Sequence, residues 1–319
     1  MVWQSGGCRL RARDNAVVAK PIYVEITIGK PVDEIWEQSQ NPQLHERWDL
    51  RFSDIDYLPR EDGEPQRFRY ASRLGGVTVD GTGESVGERR RSDGSSSSVL
   101  KFWSDHPLAI IKEGAGFWRY EPVSGGTRFY TKYDYEVRWG WLGRMADSAF
   151  FRPWIGWATA WSFDRLRLWL EKGQDPESSF ITWVSYMSAR FGLGMLWLYQ
   201  GIVPKLLVRD GEIALASATG VGSPELAVTV AGLAEVGLGL VFLLVPRWRW
   251  PFLLTVLLMP VLGLLVALVD PLYFGEPFNP FGVNVLALAL GLVGYFTWAI
   301  VPRASRCLRS PGKEEDVDL

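Results

Sequence analysis

Four apolar stretches, at residues 180–203, 226–245, 250–269 and 283–301, limit what this chain can fold into. Crossing a hydrocarbon core of about 30 Å takes about 20 apolar residues in a helix. The third stretch carries no charge, the second only Glu235, and the fourth is broken only by Asn284. Core helices of a soluble domain show a polar stripe, which these lack. Charge density changes with them: residues 1–178 hold 51 charged side chains, and residues 179–302 only 11. The sequence therefore predicts a water-facing domain followed by four membrane-spanning helices.

Basic residues in short loops set the orientation. Arg247 and Arg249 join the second stretch to the third, and Arg303, Arg306, Arg309 and Lys313 follow the fourth. The segment 270–282 has neither Lys nor Arg. Both termini are expected in the cytoplasm, in a bacterial-type inner membrane. Lys205 and Arg209, on the outer side, run against that pattern. The first residues show no secretory apolar region, so the leading domain is expected to stay inside. Arg190 and Glu235 each fall about ten residues, roughly 15 Å, into their stretches. Opposite signs at matched depth predict an intramembrane polar pair, because a lone charge there costs at least about 2.5 kcal/mol.

The run at 189–205, with Arg190, Gly192, Gly194 and the closing Pro204-Lys205, resembles the first helix of the DoxX-like family. The resemblance extends over about 180–303 and implies a four-helix membrane domain. One relative is a subunit of a quinone-linked thiosulfate oxidoreductase, which implies a membrane redox partner as an alternative role. This sequence offers no redox cofactor ligand of its own, and no cofactor is expected.

The leading domain reads as α+β. Residues 22–28 alternate, with Val24, Ile26 and Ile28 on one face. Short helices follow at 31–36 and from Asn41-Pro42 to Trp48. Strand-like runs come at 50–58, 65–73, 76–88, 97–104, 110–121 and 127–139, divided by Gly-rich and Ser-rich turns. In the last run Phe129, Thr131, Tyr133, Tyr135, Val137 and Trp139 share a face. A helical period then takes over at 143–171, with Trp154, Trp157 and Trp161 spaced three and four apart and Pro153 starting or kinking it. This order is a helix-grip domain, a curved antiparallel sheet around a long C-terminal helix. It resembles the SRPBCC superfamily of START-like and polyketide cyclase-like proteins, through residues 22–28, 31–36, 41–48 and Gly125-Gly126-Thr127-Arg128, over about 20–172.

The expected organisation is a flexible tail at 1–19, the helix-grip domain at 20–172, a linker at 173–179 that holds it near the bilayer, the membrane domain at 180–303 and a cytoplasmic tail at 304–319. Eleven of the 16 Trp fall in residues 1–178. The expected lining of the cup is Trp48, Phe68, Tyr70, Phe102, Trp118, Tyr133, Tyr135, Trp157 and Trp161. Such a surface suits a flat or long apolar ligand: a lipid, an isoprenoid quinone or a polyketide. A net charge of −2 argues against nucleic acid. Two His and two distant Cys leave no metal site. No catalytic residue is assigned; His45, next to Glu46 and Trp48, is the candidate general base, ahead of His106. The expected partners are the bilayer and a hydrophobic small molecule; the alternative is a cyclase-like enzyme or a quinone-linked redox subunit.

Overall fold

The computed structural model describes residues 19–312 except Gly75, Glu276 and Phe278. The expected tail at 1–19, save Ala19, and residues 313–319 lie outside the described residues. Two compact units emerge: the chain up to Phe163 together with the segment from Ala304 onward, and Asp164–Arg303.

The first unit opens with strand β1 (Ile22–Ile28) and helices α1 (Val32–Gln40) and α2 (Pro42–Trp48). Pro42 sits in the first turn of α2, where its missing N–H costs nothing, and the Asn41 side chain accepts from the Gln43 N–H. Strands β2 (Asp54–Tyr57), β3 (Arg67–Leu74), β4 (Val77–Arg90), β5 (Ser96–Trp103), β6 (Ile111–Val123) and β7 (Gly126–Val137) follow. All pair antiparallel in the order β1-β7-β6-β5-β4-β3-β2. Val24, Phe129 and Tyr120 are fully buried on the inner face.

The helical period expected at 143–171 is interrupted. Helix α3 (Gly140–Ala146) passes through a π turn, Asp147–Phe151, into α4 (Arg152–Lys172). Pro153 is the second residue of α4, a position that tolerates proline. Strand β7 ends at Val137, and Trp139 turns out of it at φ 62°, so Trp139 does not share the buried face. The first turns of α4 lie on the concave side of the sheet: the Tyr133 hydroxyl meets Thr159 Oγ1 at 2.9 Å, and Phe163 stacks on Phe129 at 4.4 Å.

The far end of the chain also belongs to this unit. Leu308 forms a two-bond bridge with Glu25 on the free edge of β1, at 3.0 and 2.9 Å. Cys307 Sγ donates to the Ala160 carbonyl at 3.2 Å. Covering a sheet edge satisfies backbone groups that would otherwise template aggregation.

The second unit contains α5 (Pro176–Ile202), a π turn (Val203–Leu207), α6 (Asp210–Ala218), α7 (Pro224–Leu244), α8 (Trp250–Val269) and α9 (Pro280–Thr297). Only residues 173–175 separate α4 from α5, so the linker is shorter than expected. Helices α7, α8 and α9 are each long and apolar enough to cross a membrane; α5 and α6, bent 89° to each other, count as a fourth span when taken together. Helix α6 was not foreseen. Helices α5 and α7 approach through glycines: a Cβ on Gly201 would lie 2.6 Å from the Gly232 carbonyl oxygen, and one on Gly239 2.9 Å from that of Gly194. A Cβ on Gly237, also on α7, would meet nothing within 4 Å.

Candidate functional site

The concave sheet face carries a transverse row of alternating rings and glycines. Phe68, Gly83, Phe102, Gly114 and Tyr135 are successive partners across β3 to β7. The rings lie flat over the glycines: a Cβ on Gly83 would fall 2.2 Å from the Phe68 ring, and one on Gly114 2.5 Å from the Phe102 ring. Tyr70 covers Gly81 in the same way. Phe68, Tyr70 and Phe102 are half-buried, whereas Trp48, Tyr120, Phe129 and Phe163 at the other end are sealed. The cup is thus filled with aromatic core at one end and lined by partly open rings at the other.

A polar cluster separates the two ends. Arg51 forks onto Asp49, with Nε 2.9 Å from Oδ1 and Nη2 2.6 Å from Oδ2. His45 Nε2 lies 3.0 Å from Asp49 Oδ2. The Arg51 guanidinium also faces the Phe52 and Tyr133 rings, at 5.3 and 5.7 Å. Trp48, Trp118 and Phe52 surround the imidazole at 4.8–5.2 Å. Helix α2 supplies His45, its C-cap residue is Asp49, and the Leu50 N–H donates to Ser162 on α4, tying the segment to the long helix.

Burial shapes the protonation states. It lowers the His45 pKa, opposed by the hydrogen bond and charge of Asp49, so the imidazole is neutral near neutral pH. For Asp49 burial acts upward, but the charge and hydrogen bonds of Arg51 outweigh it and hold the carboxyl well below its usual range. Burial raises Tyr133 and pushes Tyr70 up to about 12, so both hydroxyls keep their protons. The site therefore offers one fixed ion pair, one neutral imidazole and two phenolic hydroxyls beside aromatic surface.

Phe68, Tyr70, Phe102, Trp118, Tyr133 and Tyr135 share the concave face, and Trp48 closes its sealed end. Trp157 and Trp161 are a correction. They stack on each other at 6.3 Å, about 160° round α4 from Thr159, so they point away from the sheet. Their spacing identifies one face of a helix, but α4 is buried on both faces, and spacing cannot say which faces the cup. Asp49, Arg51 and Phe52 were not anticipated. They sit in a turn closed by the Phe52 N–H on the Asp49 carbonyl at 3.2 Å, so no strand or helix period marks them.

In the second unit the expected Arg190–Glu235 pair does not form. Glu235 Oε2 lies 3.3 Å from Lys205 Nζ, which is also 3.3 Å from Glu212 Oε1. Arg190 Nη1 instead reaches the Tyr186 hydroxyl at 3.4 Å, and Tyr186 donates to the Pro246 carbonyl, between α7 and α8, at 2.9 Å. The reason is axial offset. Helix α5 starts at Pro176, and Tyr186 already reaches the α7–α8 loop. Arg190 is one turn, about 6 Å, beyond Tyr186, while Glu235 is about 14 Å from the end of α7. The π turn after α5 swings Lys205 toward Glu235. Among the described residues no group of His, Cys, Asp or Glu is arranged to hold a metal ion.

Comparison with known proteins follows the two units. Residues 194–292 match the model of the DoxX-like family. The "uncharacterized membrane protein YndG" of Bacillus subtilis (strain 168) is 45% identical over 202 residues, covering 62% of this chain and 75% of YndG. The chain belongs to the YndG family. It is a multi-pass membrane protein whose second unit is DoxX-like. Solved structures similar to the first unit include human StAR-related lipid transfer protein 5, 15% identical over 46% of this chain and 75% of that one, with a TM-score of 0.37. Zhui aromatase/cyclase from Streptomyces sp. R1128 is 13% identical over 43% of this chain and 87% of that one, with a TM-score of 0.33. The helix-grip architecture itself rests on the strand order and the position of α4.

Proposed function

We propose that the helix-grip unit binds a hydrophobic small molecule and exchanges it with the membrane that the second unit spans. The observation that carries this reading is the half-open aromatic surface of Phe68, Tyr70 and Phe102 beside the buried Arg51–Asp49–His45 cluster. Rings that cover glycines provide a smooth apolar wall, and the guanidinium and phenolic hydroxyls provide a polar end. An elongated or flat apolar molecule with one oxygen function fits that division: a lipid, an isoprenoid quinone or a polyketide-like compound.

We place the protein in a bacterial-type inner membrane with both termini in the cytoplasm. Arg247 and Arg249 on one side and the Lys- and Arg-free stretch 270–282 on the other support that orientation. The Leu308–Glu25 bridge supports the same side for both flanks of the membrane unit, since residues before and after it pair, which requires an even number of crossings.

Native mass spectrometry of the full chain in mild detergent tests the ligand. The expected spectrum contains an apolar adduct that is lost in Phe102→Trp, where the larger ring fills the open end. A spectrum of bare protein only, from material with native circular dichroism, would overturn the proposal.

One observation favours a second reading. His45 held by Asp49 is a geometry that supports acid–base chemistry of the cyclase-like kind. Turnover of a polyketide-like substrate that vanishes in His45→Gln while the adduct persists would select it.

A further inference from the structure

Among the described residues of the first unit, exposed large apolar side chains gather just after β7. Trp139, Trp141, Leu142, Met145 and Phe150 fall within twelve residues, and each is more than half exposed, with Phe150 at 77%. At 100° per residue, Trp141, Met145 and Leu142 span an arc of about 100° on α3. The opposite side is held close: Gly143 is buried, and a Cβ there would lie 1.7 Å from the Arg138 carbonyl oxygen. Leu108, also more than half exposed, lies on the loop whose Ile110 carbonyl accepts from the Arg138 N–H.

This apolar crest stands on a rigid base. Asp147, buried at the foot of α3, accepts from the Tyr135 hydroxyl at 2.7 Å and from Arg152 Nε at 2.8 Å. Arg152 in turn donates to Asp134 and to the Lys20 carbonyl, both at 2.9 Å. Two consecutive left-handed residues, Trp139 at φ 62° and Gly140 at φ 55°, turn the chain outward from β7. A pinned foot means that the exposed side chains hold their position rather than folding back.

We propose that α3 and Phe150 form a wedge that enters the lipid–water interface of the bilayer. The composition supports a bilayer: Trp favours the headgroup level, Leu, Met and Phe favour the acyl boundary, and the exposed Arg144 beside them suits anionic headgroups. The chain itself supports it as well, because its DoxX-like unit crosses a membrane. Tyr135, which anchors the foot, closes the aromatic row on the concave face. An inserted wedge would therefore bring the end of the cup that this row lines toward the lipid. This last consequence rests on the ligand-binding reading; the insertion does not.

Depth measurement by spin labelling tests it. The full chain carrying Cys8→Ser and Cys307→Ser would receive single labels at Leu142→Cys, Met145→Cys or Phe150→Cys, with Val86→Cys as the water reference. It would be reconstituted in nanodiscs of phosphatidylethanolamine and phosphatidylglycerol. The expected result is a ratio of oxygen to nickel-chelate accessibility several-fold higher at the three wedge positions than at Val86→Cys. Ratios equal to the reference would overturn the proposal. So would labels shielded from both reagents, which would mean that protein covers the wedge. Native mass spectrometry on the same material separates the two readings: lipid-exposed labels without an adduct sink ligand binding alone, and an adduct with water-exposed labels sinks the wedge alone.

Discussion

Arg51 and Asp49 form a forked ion pair inside the helix-grip unit, with the carboxylate fully buried and the guanidinium 12% exposed. Buried pairs contribute little net stability relative to apolar replacements, but removing one partner strands the other charge. Asp49→Ala is expected to destabilise the unit by about 3–5 kcal/mol. The double replacement Asp49→Leu, Arg51→Leu is expected to recover most of that loss. Urea midpoints of the three chains in detergent check this; a single variant as stable as the parent would refute the pairing as a structural element.

The same cluster gives a pH dependence of definite sign. Burial lowers the His45 pKa below its ordinary 6.5, so the folded state holds this proton less tightly than the unfolded chain. Stability is complete above 6.5 and falls as pH drops below it. Asp49, held below its ordinary 3.8, adds a second loss that starts only under that value. In His45→Gln the first decline should be reduced, which a series of denaturation curves from neutral to mildly acid pH would show. An unchanged slope in the variant would assign the decline to other groups.

Glycines on β4 and β6 are not equivalent. A Cβ on Gly116 would lie 2.4 Å from Tyr133 Cβ and 2.9 Å from the Lys132 carbonyl oxygen, whereas Gly87 has nothing within 4 Å. Gly116→Ala is therefore expected to cost about 1–3 kcal/mol through overpacking. Gly87→Ala is expected to stabilise by roughly 0.4–1 kcal/mol by restricting the unfolded chain. Thermal midpoints of the two variants should move in opposite directions.

In the membrane unit, double-mutant cycles distinguish the observed ion pair from the one expected from depth alone. Lys205 and Glu235 are expected to couple by roughly 0.5–3 kcal/mol, as contacting charges do, and Arg190 and Glu235 by about zero. Leucine replacements at each position, singly and paired, assayed by unfolding in detergent, supply both cycles. Coupling confined to Arg190 and Glu235 would contradict the observed contacts.

The order of elements along the cup was legible because the apolar side chains of β1 and β7 alternate, with Val24, Ile26, Phe129 and Tyr133 buried on one face. The aromatic lining on the sheet was legible for the same reason: in a strand, parity assigns the face. Parity failed where the strand stopped early, which put Trp139 outside. Helical spacing found the Trp157–Trp161 stripe without its direction, because α4 has neighbours on both sides. The partner of Glu235 was missed because depth counted from a helix end depends on where that end lies, and α5 starts earlier than hydropathy suggests. A π turn and the 89° bend into α6 then bring Glu212 and Glu235 to the same ammonium, that of Lys205.

By itself, the sequence determined that this chain has two parts in two solvents. Charge density and apolar run length are local properties, and so are the alternations that shape the sheet. Tertiary structure alone decided the site. It joined Asp49 and Arg51 to Tyr133 some eighty positions away, laid rings over glycines on neighbouring strands and brought Leu308 back to β1. Those contacts depend on register and on helix start points, which arise only when the whole chain packs.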